Sequence, residues 1–371
     1  MTGPARGEAA DFVITLLPAG QGDCLLLEYG GPDAYSRVLI DGGPARSYKA
    51  IAAKLAALPP GHRRLDLLVL THVDADHIEG VIKLINDADL AVEVAEVWFN
   101  GYQQLPPDPH LGPAQGEILS ALLDARKIPW NTAFGGGAVQ RHRGSPLPRV
   151  TLPGELELTV LGPDEAALQS LRKVWEKECA KAGIAEGSTR EALDLLASQK
   201  RLLPLDSYLD SADVTQLAAL PEREKDTSVT NASSIVLLAE YRGHSILLPG
   251  DSTPAILTAG LERLIAERGL GVLDVGAVKL PHHGSRHNVT RDVLDLIQSP
   301  VYLVSTDGSY FGHPDPAAIA RVIAGKKGRC RLIFNYQTPI TSQWDDDSLL
   351  TRYGYQAEYA ADGARGIEVA I

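Results

Sequence analysis

Residues 70–80, "LTHVDADHIEG", crowd His72, Asp74, Asp76 and His77 together directly after an apolar run. Imidazole and carboxylate are the side chains that hold divalent cations. In an extended segment His72 and Asp74 point the same way, toward one ion. Asp76 and His77, entering a helix, point toward a second ion nearby. Farther on, "LLPGDS" offers Asp251, whose two carboxylate oxygens can bridge two ions. "KLPHHGS" offers His282 and His283, and one of the two can complete the second site. Two adjacent histidines in an extended segment cannot both face one ion. Two divalent ions roughly 3.5–4 Å apart activate a hydroxide between them and stabilise a leaving oxygen. The alternative is a solvated acidic turn, with Asp76 and Asp251 serving only as caps of the helices that follow them.

These residues need elements to position them. Each of four loops follows an apolar strand: "IDGG" with Asp41, residues 72–77, the loop of Asp251 and the loop of His282 and His283. Strand ends at one edge of an α/β sheet are where functional groups converge. Five of the ten histidines (His72, His77, His282, His283 and His313) lie in or beside such segments. His62, His110, His142, His244 and His287 are expected at the surface. The first 42 residues read as strands and turns, with "GQGD" as a turn. Helical periodicity covers 47–58 and stops at Pro59-Pro60. A buried strand is expected at 65–71, a helix at 76–87, a strand at 94–101, a helix at 114–126 and a strand at 156–163. After Pro163, apolar residues at Leu168, Leu171, Val174, Trp175 and Cys179 predict a helix to Gly183, and "TREALDLLASQKRLL" predicts another. Residues 164–228 therefore look like a helical insertion, either an active-site cap or a cover for one sheet face. A hairpin follows at 233–251, turning at Arg242-Gly243. Helices at 254–268, 289–298 and 314–325 then alternate with strands at 275–280 and 301–306, and further strands are expected in the tail. Both halves open with a hairpin, which suggests two related α/β halves meeting at one site.

Taken in order, Asp41, H-x-D-x-D-H, Gly250-Asp251 and His282-His283-Gly284-Ser285 resemble the motifs of the metallo-β-lactamase superfamily. Within it the pattern is most similar to the nuclease-like domain of the DNA-uptake competence channel and to bacterial phosphorylcholine esterases. The shared segments are "GQGD", "LIDGG", the H-x-D-x-D-H loop, Asn231 to Ser234 as N-x-x-S, "GD", "HHGS" and "FGHP" at 311–314. The resemblance covers roughly residues 12–100 and 228–325. It implies a four-layer αββα sandwich, one catalytic domain over 1–371 carrying the 164–228 insertion. It also implies two divalent ions, zinc or manganese, held by His72, Asp74, Asp76, His77, Asp251 and His283. His283 is favoured as the ligand, leaving His282 as a neighbouring or acid–base residue. Asp41 either orients a ligand or takes part directly, and His313 either supports its loop or acts as a general acid. The superfamily more often has a histidine where Asp74 stands, and a further histidine between the second and fourth motifs. His110 and His142 lie in that interval, in loops without a strand context. The hard carboxylate of Asp74 shifts preference toward Mn²⁺ or labile Zn²⁺ and weakens the first site.

The activity so implied is hydrolysis of a phosphodiester. A metal-bridging hydroxide oriented by Asp76 attacks phosphorus, and His282 or His313 protonates the leaving oxygen. The same site suits an acyl ester or lactone, and the missing histidine leaves room for a catalytically degenerate sensor or partner-binding protein. Composition adds bounds. The net charge is −12, and the basic runs "HRR" and "GKKGRCR" are short. That argues against tight binding of long duplexes, while a phosphoester, a small anion or a short single-stranded nucleic acid remains compatible. No apolar run approaches the ~18 residues needed to cross a membrane. "MTGPARGEAADF" lacks the apolar core of a secretory signal, so a cytoplasmic location is the expectation. Cys24, Cys179 and Cys330 match no zinc or redox spacing and read as small buried hydrophobes.

Overall fold

Three apolar runs near the N-terminus form an antiparallel meander. Phe12–Leu16 pairs with Leu25–Tyr29, which pairs with Ser36–Ile40, so that Leu27 faces Ile14 on one side and Val38 on the other. The chain then crosses over twice in parallel, from Ser36–Ile40 to Leu67–Val69 to Val97–Trp98. Ile367–Ala370 closes the opposite edge, making a six-stranded sheet. An eight-stranded sheet runs Tyr355–Tyr359, Cys330–Phe334, Val301–Val304, Ala277–Lys279, His244–Leu248, Val236–Tyr241, Glu157–Gly162, Arg149–Thr151. This computed structural model describes residues 11–31, 35–105, 114–182, 213–222, 224–361 and 366–371.

Alternation of side chains along each strand sorts the apolar residues into three clusters. Leu25 and Leu27 join Ile14, Trp98, Leu237 and Leu303, drawn from both sheets. Leu26, on the other face, joins Leu68 of its own sheet and Ile78, Val81 and Leu122 from helices on that sheet. Leu238, Val278 and Tyr302 meet Leu257, Leu261 and Ile319 from helices on the second. Strands buried on both faces explain why "LLLEY" and "LDLLVL" read as continuous apolar runs rather than alternating ones. The fold is therefore mixed α/β, with two large sheets, two small two-stranded ones and helices packed on the large pair.

Most expected elements stand where periodicity placed them, including helices Tyr48–Ala56, Ala75–Asn86, Ala114–Arg126 and Pro254–Arg268. One differs. The helix expected over 289–298 is a single turn, Arg291–Leu294. The four-residue spacing of Val289, Val293 and Ile297 imitates a helix, but Ile297 instead pairs in parallel with Leu273. Of the proposed insertion, helix Glu165–Ala182 buries Leu168, Leu171 and Trp175 in the first sheet's helix-side cluster. Helix Val214–Ala218 buries Val214 and Ala218 in the second sheet's cluster. The second helix expected in that segment, the Cys179 side chain and His110 lie outside the described residues. His62, His142 and His244 are exposed, and Cys24 and Cys330 are buried free thiols. His287 is also at the surface, half-buried, its Nδ1 lying 2.6 Å from the Glu224 carbonyl oxygen.

Candidate metal centre

Helix Ala75–Asn86 starts on an extended Asp74 whose side chain makes no capping hydrogen bond. The N-cap of Pro254–Arg268 is Thr253, not Asp251. The carboxylates of the two loops are thus not occupied as caps. The helix is seated by its contact with the "IDGG" loop. Gly42 N–H donates to the His77 carbonyl and Gly80 N–H to the Gly43 carbonyl. A Cβ on Gly80 would stand 1.9 Å from the Gly42 carbonyl oxygen, so only glycine permits this approach. It delivers His77 to Asp41.

Asp41 sits in the left-handed region (φ 58°) and is fully buried. It accepts from Thr71 N–H and Thr71 Oγ1, each at 2.7 Å, and lies 2.7 Å from His77 Nδ1. The Nδ1 of His72 is 3.0 Å from Thr71 Oγ1, and that of His283 is 2.9 Å from the Ser305 carbonyl oxygen. With each Nδ1 fixed, the three Nε2 atoms point inward. The Nε2 atoms of His72, His77 and His283 are buried without a hydrogen-bond partner, as is Asp251 Oδ1. Asp251 Oδ2 lies 3.3 Å from both His77 Nε2 and His283 Nε2. Ligand atoms of His72, His77 and Asp251 fall within 4.8 Å of one another, and so do those of Asp76, His77 and His283. An unpaired buried polar atom costs about 1–3 kcal/mol, so a cluster of them facing one another calls for a shared partner. Imidazoles pinned at Nδ1 and open at Nε2 are what a divalent ion requires. These residues fit it.

The charges agree with that fit. Burial works against protonation of His77, yet Asp251 and Asp41 hold its pKa well above the ordinary histidine value. His283 is raised in the same way, by Asp251 and Asp23. Burial disfavours the charged form of Asp251, but His283 and His77 hold it well below the usual carboxylate range. Asp76, opposed by burial and favoured by His283 and His77, is also lowered. Asp74 stands at the margin of the cluster, its Oδ2 3.7 Å from His72 Nε2 and accepting from Thr230 Oγ1 at 3.2 Å.

The expectation that His282 and His283 lie in an extended segment is not met. Both occupy the left-handed region (φ 46° and 54°) within a turn over Pro281–Gly284. The turn lets both rings approach one carboxylate, with His282 Nε2 3.8 Å from Asp251 Oδ2. His282 is part-exposed, and its Nδ1 lies 3.0 Å from Asn288 Oδ1 and 3.4 Å from Asp226 Oδ2. Asp226, opposed by burial but bonded by His282, Asn231 and Asn288, is pulled down to about 2. His313 is largely buried, its ring 5.5 Å from that of His282 and its Nδ1 3.3 Å from Asp315 Oδ2. Burial lowers the His313 pKa despite Asp315.

Sequence reasoning missed Asp226, Asp23 and Lys279. Asp23, the last residue of "GQGD", forms a fully buried ion pair with Lys279. Its Oδ1 faces His283 Nδ1 at 3.2 Å. The only signal was the motif itself, which read as a turn.

A family model described as "Metallo-beta-lactamase superfamily" matches residues 17–168. That stretch holds Asp41, His72, Asp74, Asp76 and His77, and the fold brings Asp251 and His283 onto it from outside. The activity this similarity suggests is that of a metal-dependent hydrolase, and the convergent ligand atoms are consistent with it. No curated protein matches the chain. Among the described residues no helix is long and apolar enough to cross a membrane.

Proposed function

We propose that the protein is a two-metal hydrolase of phosphoric diesters, related most nearly to the competence-type and phosphorylcholine-esterase branch. The observation that carries the metal assignment is the set of three buried, unpaired Nε2 atoms converging on Asp251. His72, His77 and Asp251, with Asp74 at the rim, would hold one ion, and Asp76, His283 and Asp251 the other. When bound, the ions activate water and neutralise charge that develops on the phosphoryl oxygens. The protein's own residues do the rest. Asp41 and the Ser305 carbonyl lock the imidazoles in the tautomer that presents Nε2. Asp76, at the first turn of its helix, orients the attacking water. His282 carries the proton to the leaving oxygen, its ring held by Asp226 and Asn288 at the cluster's open side. His313, buried and lowered in pKa, serves better to support that ring than to donate. The phosphoester reading rests on the oxygen-rich ligand set around Asp74, which suits a hard ion such as Mn²⁺ as well as Zn²⁺.

The two-sheet packing with helix clusters on each outer face supports an αββα sandwich, and we read 164–228 as an insertion in it. A second substrate class, acyl esters or lactones, is favoured only by the net charge of −12. One set of assays decides. Hydrolysis of a bis-aryl phosphate should exceed that of an aryl ester or lactone. It should vanish with chelator, return with Mn²⁺ or Zn²⁺, and fall at least a hundredfold in His72→Ala and Asp76→Ala proteins that keep native circular dichroism. Full activity of both variants would end the proposal, and preference for the acyl substrate would transfer it to that class.

A further inference from the structure

Beside His282 opens a cavity of about 450 Å³, whose lining includes Phe311, His313, His282, Lys225, Ser228 and Asn288. That is a volume typical of small-molecule sites. Its aromatic wall is unusual. Among the described residues four large apolar side chains are exposed, and two of them, Tyr310 (49%) and Phe311 (50%), are neighbours on this loop. Water is a poor place for two adjacent aromatic rings unless something else comes to cover them.

The loop itself is well held. Ser309 N–H donates to Asp307 Oδ1, Gly308 N–H to Thr306 Oγ1 and Gly312 N–H to the Gly308 carbonyl. Asp307 is further tied to Arg46 at 3.2 Å. The Phe311 ring is stacked on His313 (centroids 5.8 Å, 25°), with Tyr310 edge-on to it at 4.4 Å. It stands edge-on to His282 at 6.3 Å. The ring therefore stands beside the candidate proton donor, while half of the side chain stays open to solvent.

We propose that this cavity is the subsite for a flat, unsaturated substituent of the ester, an aryl ring or a nucleobase, held by stacking against Phe311. The inference rests on the phosphodiesterase reading and narrows it to esters with a π face on one arm. Stacking is tolerant of ring identity, since every base and aryl group has such a face. Lys225 and Ser228 would meet polar atoms at the ring's rim.

The test compares three diesters that share a non-aromatic leaving group: trifluoroethyl phosphates carrying a methyl, a benzyl or a thymidylyl arm, followed by fluorine NMR. In the metal-loaded protein Phe311→Ala should lower kcat/KM on the order of tenfold for the thymidylyl or benzyl ester, chiefly through KM. The methyl ester should lose far less than either of these, and Phe311→Trp should restore the loss. Loss with benzyl and thymidylyl together marks a general π subsite, and loss with thymidylyl alone marks a nucleobase subsite. Equal change on all three esters, or none, overturns the proposal. Phe311 is exposed, so the variants keep their fold. If the wild-type protein hydrolyses none of the three, the phosphodiesterase reading falls by itself. Calorimetric binding of thymidine monophosphate then judges the subsite: binding lost in Phe311→Ala upholds it, and no binding or unchanged binding ends it.

Discussion

Lys279 and Asp23 show how a site is supported by residues that carry no motif of their own. Their ion pair is fully buried, and Asp23 Oδ1 also faces Nδ1 of His283. Removing one partner of such a pair leaves an uncompensated charge and costs about 3–5 kcal/mol, whereas replacing both by apolar groups is often near neutral. Lys279→Met should therefore destabilise by about that amount in denaturant unfolding, and Asp23→Leu/Lys279→Met should recover most of it. A single variant as stable as wild type would mean that the pair is not the buried contact described. The metal-ligating candidates were legible because each sits in a short loop after an apolar run, where His and Asp types stand out. Asp23 and Lys279 were not legible. They are far apart in sequence, one in a turn and one in a strand, and their meaning arises only when the sheets close. Asp226 escaped for the same reason, since two of its partners, His282 and Asn288, come from a distant segment, while Asn231 is near it in sequence.

The elements carry the next level of specification. Helix Ala75–Asn86 was readable from its apolar spacing, and its seat against the "IDGG" loop was not. Gly80 lies inside that helix, where alanine would ordinarily add roughly 1 kcal/mol of helical preference. Here the added Cβ would meet the Gly42 backbone oxygen at 1.9 Å, a contact that no rotamer change relieves. The clash reverses the sign. Gly80→Ala should destabilise by about 1–3 kcal/mol and weaken metal affinity, because the helix must shift with Asp76 and His77 on its first turn. Thermal unfolding and metal titration against a competing chelator check both effects, and a stabilised variant would contradict the packing. The expected helix over 289–298 failed for the converse reason. Its periodicity was satisfied locally, but a tertiary strand partner, Leu273, took Ile297 away. The His282–His283 turn belongs to the same class, because two left-handed residues other than glycine leave no mark in a pattern of apolar spacing.

At the scale of the whole molecule, two sheets of strands bring carboxylates from both halves of the chain into one buried volume. Asp23, Asp41, Asp76 and Asp251 gather there around His77 and His283. Without metal, protons supply the counter-charge. His77 and His283 are held well above the ordinary histidine value of 6.5 in the folded state. Groups raised on folding contribute stability that is fully present below the unfolded pKa and lost as pH rises through the folded one. Asp251 is lowered, so its contribution is present above its unfolded value of 3.8 and lost as pH falls through the folded one. The chelated protein should thus lose stability as pH climbs above about 6.5. Divalent ions take the place of the same protons, so their affinity should rise over that interval, and their stabilisation grows with affinity by mass action. The difference in Tm between metal-loaded and chelated protein should therefore widen steadily from about pH 6 to pH 8.5. Metal titration in buffers of unequal ionisation enthalpy should show protons released on binding. A Tm difference that stays flat with pH, with no proton release, would mean that the ions do not compete with His77 and His283 for the same volume.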